Sequence, residues 1–182
     1  MKLWDDLDHR LSVIKRWGTT ESIHKQSVAE HIFNVERMAV RLAARFFGIF
    51  DNERILEIVM CAHHHEDLEA LSGDFPSMVK PYFDEKAMAK EHADVLNVVP
   101  EAPPYAKHIV KLADMFDSLW WLVIEHKLGN TYIAKHLEYE PGRIIEYVRT
   151  TWSGDANLLK AVNAAIEEML EIVSIRHSRR GR

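Results

Sequence analysis

Apolar residues along this chain recur at spacings of three and four, the period of helices that bury one face. Val28, Ile32, Val35, Ala39, Leu42 and Phe46 mark such a face, and His31 shares it. Ser27-Val28-Ala29-Glu30 is a capping box that opens this helix, and Gly48 closes it. Ile55, Ile58, Val59 and Ala62 define a second helix, capped by Asp51 or Asn52, that is predicted to run through Glu69 and stop at Gly73. A weaker amphipathic pattern covers residues 84–99, before Pro100. Pro103 and Pro104 introduce a long helix over residues 105–128, with Gly129 just beyond. It is apolar nearly all round, which predicts a central, buried position. Two more helices are predicted over residues 141–152 and 156–175. No run alternates with the period of a strand, and no repeat, linker or low-complexity segment interrupts the pattern. The expectation is an all-α, single-domain bundle of about six to eight helices spanning residues 1–182, with a frayed basic tail over 176–182.

Composition narrows the class of function. A chain of 182 residues, 47% hydrophobic, buries a core without staples, and its single cysteine, Cys61, rules out a disulfide framework within it. That cysteine usage predicts a reducing compartment. The acidic N-terminal residues do not read as a signal peptide, and the longest apolar stretch, 118–124, is far too short to span a bilayer. A cytoplasmic location without a membrane partner is expected. A net charge of −5 argues against a nucleic-acid polymer as partner.

The informative chemistry lies on the buried faces. Continued at about 100° per residue, the arc of Ile58 and Ala62 takes in His65, Glu66 and Glu69. Asp114 falls midway along the long apolar helix, where a carboxylate has no capping role. Each residue alone fits a hydrogen-bonded group in a core. Together, His31, His65, Glu66 and Asp114 predict one divalent metal ion, because buried imidazoles and carboxylates need a cation or strong hydrogen bonds. Two imidazoles with two carboxylates suit Zn²⁺, Mn²⁺, Co²⁺ or Fe²⁺ alike. Of the run His63-His64-His65 only one can ligate, since successive side chains diverge by about 100°. His64 is expected in solvent, His63 at the edge of the arc, and Asp67 outside it.

Over roughly residues 10–150 the chain resembles the HD-domain phosphohydrolases, specifically the small 5′-deoxynucleotidase branch. Arg16-Trp17 is similar to that branch's Arg-Trp pair, and Ser27-Val28-Ala29-Glu30-His31 to its Ser-Val-Ala-Glu-His segment. The stretch from His65-Glu66 through Glu69 to Ser72-Gly73-Asp74-Phe75-Pro76-Ser77 resembles His-Asp-x-x-Glu followed by Thr-Gly-Asp-x-Pro. Lys111-Leu112-Ala113-Asp114 resembles the Lys-x-Ala-Asp carrying the last ligand. One departure stands out: the family's His-Asp doublet is His65-Glu66 here, and the extra methylene moves the ligating oxygen by more than about 1 Å. Either the site has adjusted or metal binding is weakened. The short connection from Gly73-Asp74 to Asp114 is similar to that of small phage-type enzymes that strip triphosphate from deoxynucleotides, dATP in particular.

The resemblance implies a metal-dependent hydrolase of the 5′ phosphoester of free 2′-deoxynucleotides, releasing a deoxynucleoside with phosphate or triphosphate. It implies that Glu69 orients or deprotonates the attacking water and that Asp74 manages the proton at the leaving 5′-oxygen, unless Asp74 only stabilises its turn. Arg16, Lys80 and Lys111 would bind phosphate. Trp17 would pack on the deoxyribose and exclude a 2′-hydroxyl, or else anchor the core. Relatives assemble, so a homo-oligomer is expected. Two alternatives stay open: a hydrolase of a cyclic or signalling nucleotide, and a non-catalytic nucleotide-binding relative.

Overall fold

Helix α6 (Pro104–Leu128) is the axis around which the others pack. The computed structural model describes residues 6–75, 82–91 and 101–179, and these form eight helices and no strand. The others are α1 (Asp6–Val13), α2 (Val28–Phe47), α3 (Asn52–His63), α4 (Glu69–Ser72), α5 (Glu85–Glu91), α7 (Ala134–Thr151) and α8 (Ala156–Arg179). Helices α2, α3, α7 and α8 all lie against α6, and α1 rests on α2 and α4. The core is built where α6 offers Ile109, Leu112, Phe116 and Leu119 to Val35 and Ala39 of α2, Ile58 of α3, and Ile144 and Val148 of α7. No helix among the described residues is long and apolar enough to cross a membrane.

The local signals at the ends of α2 and α6 act as expected. Ser27 Oγ accepts from the Glu30 amide at 3.1 Å, Glu30 Oε2 accepts from the Ser27 amide at 2.6 Å, and Gly48 closes α2 in the left-handed region. Substituting Ser27 by alanine is expected to cost about 1 kcal/mol. A urea midpoint indistinguishable from that of the parent protein would contradict it.

Three expectations need correction. The second helix does not run through to Glu69: α3 ends at His63, residues 64–68 form turns, and α4 is one short turn of helix. Ending α3 frees its last carbonyls, and the His65 side chain takes one of them, the carbonyl of Ala62, at 2.6 Å. Helix α7 begins at Ala134 rather than at Pro141, which sits in its interior. Proline marks a first turn only by preference, and burial of Ile144 and Val148 against the core holds the helix through it. Helix α8 runs to Arg179, four residues beyond the end predicted at 175. Helix α1 had no clear sequence signal, and residues 92–99 of the weak helix predicted over 84–99 lie outside the described residues.

Candidate metal centre

The centre forms where the first turn of α2, the turn after α3 and the middle of α6 meet. His31, in that first turn, is fully buried. Its Nε2 lies 3.3 Å from His65 Nε2, 3.4 Å from Asp114 Oδ1 and 3.9 Å from Glu66 Oε1. Glu66 Oε1 is 3.8 Å from His65 Nε2. Two donors each about 2.1 Å from one ion, at tetrahedral or octahedral angles, lie roughly 3.0–3.4 Å apart. The His–His and His–Asp spacings meet that figure, and Glu66 is within half an ångström of it. The longer side chain of Glu66 therefore still reaches the cluster.

Proton placement sharpens the fit. His65 Nδ1 donates to the Ala62 carbonyl, which leaves Nε2 as a lone pair in the neutral ring. His31 Nδ1 lies 2.7 Å from Asp117 Oδ2 and 2.6 Å from Arg16 Nη1. A carboxylate only accepts and a guanidinium only donates, so Nδ1 serves one of them. Donation to Asp117 gives His31 the same tautomer as His65, and Arg16, 3.6 Å from Asp117, offsets the carboxylate's charge. Two Nε2 lone pairs then face each other at 3.3 Å, which is repulsive unless a cation lies between them. His31, His65 and Glu66 form the metal-capable group among the described residues, with Asp114 beside it.

Burial pushes the His65 imidazole down to about 4, against the attraction of Glu66 and Asp114. Burial would raise Asp114, yet the charges of Lys111 and Arg16 beside it hold it well below the usual carboxylate range. An unfolded imidazole titrates near 6.5. Between about 6.5 and about 4 only the unfolded chain carries the His65 proton, so this stability is complete above the window and lost as pH falls through it. For metal-free protein the loss reaches up to about 3 kcal/mol. Denaturation midpoints unchanged between about pH 7 and about pH 4.5 would contradict this.

Arg16 and Trp17 sit on the segment between α1 and α2, which one stripe of α6 fastens in place. Asp117 accepts from Gln26 Nε2 at 3.0 Å, and Trp121 donates to the His24 carbonyl at 3.3 Å. Buried Glu125 accepts from the amides of Ile23 (2.8 Å) and His24 (2.5 Å) and from Asn130 Nδ2 (2.6 Å). Trp17 has φ +61°, a conformation rare outside glycine. Asp74 Oδ2 receives its amide at 2.9 Å, and its ring stacks on Trp121 at 4.5 Å.

Two cavities flank the cluster and share Glu66, Phe75, Lys111 and Asp114 as a common wall. The larger, about 600 Å³, also takes in His64, His65 and Glu69. The smaller, about 210 Å³, takes in Arg16, Trp17 and Asp74. Glu69 is buried, while Lys111 is half-exposed with Nζ 2.6 Å from Asp114 Oδ2. Lys80 lies outside the described residues.

His64 is not solvated as expected. Its Nδ1 is 2.8 Å from Asp67 Oδ2, and both side chains are largely buried, because the turn that ends α3 folds them together. Sequence reasoning missed Asp117, Trp121 and Glu125. Asp117 had a signal, being one helical turn from Asp114 on the same face. The other two depend on partners some hundred residues distant.

The fold is the one seen in HD phosphohydrolases of known structure. The chain matches a cyanophage S-2L HD phosphohydrolase (DatZ), solved with dA and one catalytic Zn²⁺, at a TM-score of 0.72 and 17% identity, over 94% of this chain and 99% of that one. An HD-domain phosphohydrolase from Listeria innocua matches at a TM-score of 0.59 and 17% identity, over 91% and 86%. In sequence, the 5′-deoxynucleotidase YfbR-like family matches residues 7–101. A 5′-deoxynucleotidase of Vibrio parahaemolyticus is 34% identical over 69% of this chain and 75% of the relative; one from Vibrio cholerae is 29% identical over 69% and 76%. The chain belongs to the YfbR-like 5′-deoxynucleotidase family.

Proposed function

We propose that this protein hydrolyses the 5′ phosphoester of free 2′-deoxynucleoside monophosphates, with one divalent ion held by His31, His65, Glu66 and Asp114. The observation that carries the proposal is the pair of Nε2 atoms 3.3 Å apart, with Glu66 and Asp114 beside them and the Arg16–Trp17 pair on the adjoining cavity. The names of the relatives, 5′-deoxynucleotidases, support the substrate class. A divalent ion there would supply Lewis acidity toward a phosphate oxygen and a more acidic water.

The chain's own residues do the rest. Glu69, buried one turn beyond the His65-Glu66 doublet, takes the proton of the attacking water. Water oxygen bonds to phosphorus, the P–O5′ bond breaks, and a proton ends on O5′. Arg16 and Lys111 both lean on Asp114, with Nη2 3.7 Å from Oδ1 and Nζ 2.6 Å from Oδ2. With Asp114 holding a cation, both side chains would be available to the phosphate oxygens. Asp74 fastens Trp17 with one oxygen, and its other oxygen serves the proton at O5′. Trp17, locked by Asp74 and Trp121, presents a rigid wall to the deoxyribose and excludes a 2′-hydroxyl.

The test is a panel of deoxyribo- and ribonucleotides, mono- and triphosphates, incubated with protein loaded with Mn²⁺, Co²⁺ or Zn²⁺. Deoxynucleoside plus inorganic phosphate is expected from the deoxymonophosphates, and a chelator should abolish it. Released triphosphate would move the substrate class to the triphosphates. Absence of turnover on every deoxynucleotide would sink the proposal, and equal consumption of ribonucleotides would remove the role given to Trp17.

A further inference from the structure

The smaller cavity extends past the groups assigned to phosphate and sugar, to a wall formed by α7. His136, Glu140 and Arg143, at i, i+4 and i+7 of that helix, line it, and Met115 and Ser118 of α6 line the same space. Glu140 is buried, with 8% of its side chain exposed. Its polar partner in the structure is Arg143, whose Nη1 lies 3.0 Å from Oε2 and 3.3 Å from Oε1. A carboxylate offers about four acceptor sites. One straddling nitrogen leaves both oxygens able to accept again. A helical Glu–Arg pair at this spacing gains as much on the surface, where neither charge is desolvated. Burying Glu140 at the wall of a cavity therefore favours a ligand bearing N–H donors.

We infer that Glu140, steadied by Arg143, reads the nucleobase and selects guanine; this presupposes the deoxynucleotide substrate proposed above. With phosphate at the metal centre and sugar against Trp17, the base is the part of the substrate left to meet α7. Guanine places two N–H donors side by side, N1–H and the 2-amino group, and a carboxylate accepts both at once. Adenine and cytosine set an amino group beside a ring-nitrogen lone pair, which a carboxylate repels. Thymine sets its single N–H between two carbonyl oxygens. Only guanine pairs with a carboxylate without a repulsive neighbour.

Two readouts test it. Initial rates on dGMP and dIMP, which differ only by the 2-amino group, are expected to favour dGMP in kcat/KM by about tenfold or more. Glu140→Gln, which replaces one acceptor by a donor, is expected to bring the ratio close to one. Calorimetric binding of deoxyguanosine against deoxyinosine needs neither metal nor phosphate and should show the same Glu140-dependent preference. If Glu140→Gln does not fold by circular dichroism, Arg143→Met, which removes the group steadying the carboxylate, is expected to narrow the ratio. Equal rates on dGMP and dIMP in the parent protein, or a preference that survives Glu140→Gln, would overturn the inference. Turnover without base preference defeats this inference alone. Glu140-dependent binding of deoxyguanosine without turnover defeats the hydrolase proposal alone.

Discussion

Asp114→Asn is expected to lower deoxynucleotide turnover by about a thousandfold, with helical content unchanged. The carboxylate is placed to do three things: it faces the cluster through Oδ1, 3.4 Å from His31 Nε2, holds Lys111 through Oδ2, and draws Arg16 inward. An amide keeps the size but loses the charge, and it aims either one oxygen or two N–H groups at the cation. Stability should change much less than activity. The asparagine escapes the burial penalty of the carboxylate even as it loses the attraction of its two cations. Turnover within about tenfold of the parent would mean that Asp114 is a core ion-pair residue rather than a ligand.

Asp117→Asn is expected to weaken metal affinity by about 10- to 100-fold, with much of the turnover recovered at saturating metal. Asp117 lies 2.7 Å from His31 Nδ1 and holds its proton, which leaves the Nε2 lone pair toward the cluster. Asparagine can turn its amide to that nitrogen, reversing the tautomer and pointing an N–H at the cation. Titrating metal-free protein with Zn²⁺ or Mn²⁺ and following turnover separates affinity from rate. An unaltered metal midpoint would contradict the role given to Asp117.

How far the chain could be read from its residues depended on where each signal resides. Helix α2 is specified locally: the Ser27–Glu30 capping box, the apolar spacing and Gly48 act within a few residues of themselves. Helix α6 is equally plain, between Pro104 and Gly129. His31, His65, Glu66 and Asp114 stood out in the sequence because a histidine or carboxylate on an apolar face is conspicuous, and the structure brings them together. For His65 and Glu66 the route differs from the one expected: the chain reaches the cluster through a turn after His63, not by continuing the helix. Helical periodicity carries no information on where a helix gives way to a turn stabilised by its own side chains.

The remaining features depend on contacts remote in sequence. The left-handed backbone of Trp17 is maintained by Asp74 and by stacking on Trp121. Glu125 receives two amides of the segment that carries the Arg16–Trp17 pair, some hundred residues away in sequence. Glu140 likewise sits just before a proline that suggested a helix start, so nothing nearby hinted that it would line a cavity.

The claim on which the rest depends is that one divalent ion sits between His31 and His65 with carboxylate oxygens completing its sphere. X-ray absorption of protein loaded with one equivalent of Zn²⁺ tests it directly. Two imidazole nitrogens at about 2.0–2.1 Å and oxygen ligands for the remainder are expected, with one imidazole lost in His31→Ala. A shell containing sulfur, which would implicate Cys61, or one built of oxygen alone would contradict the account.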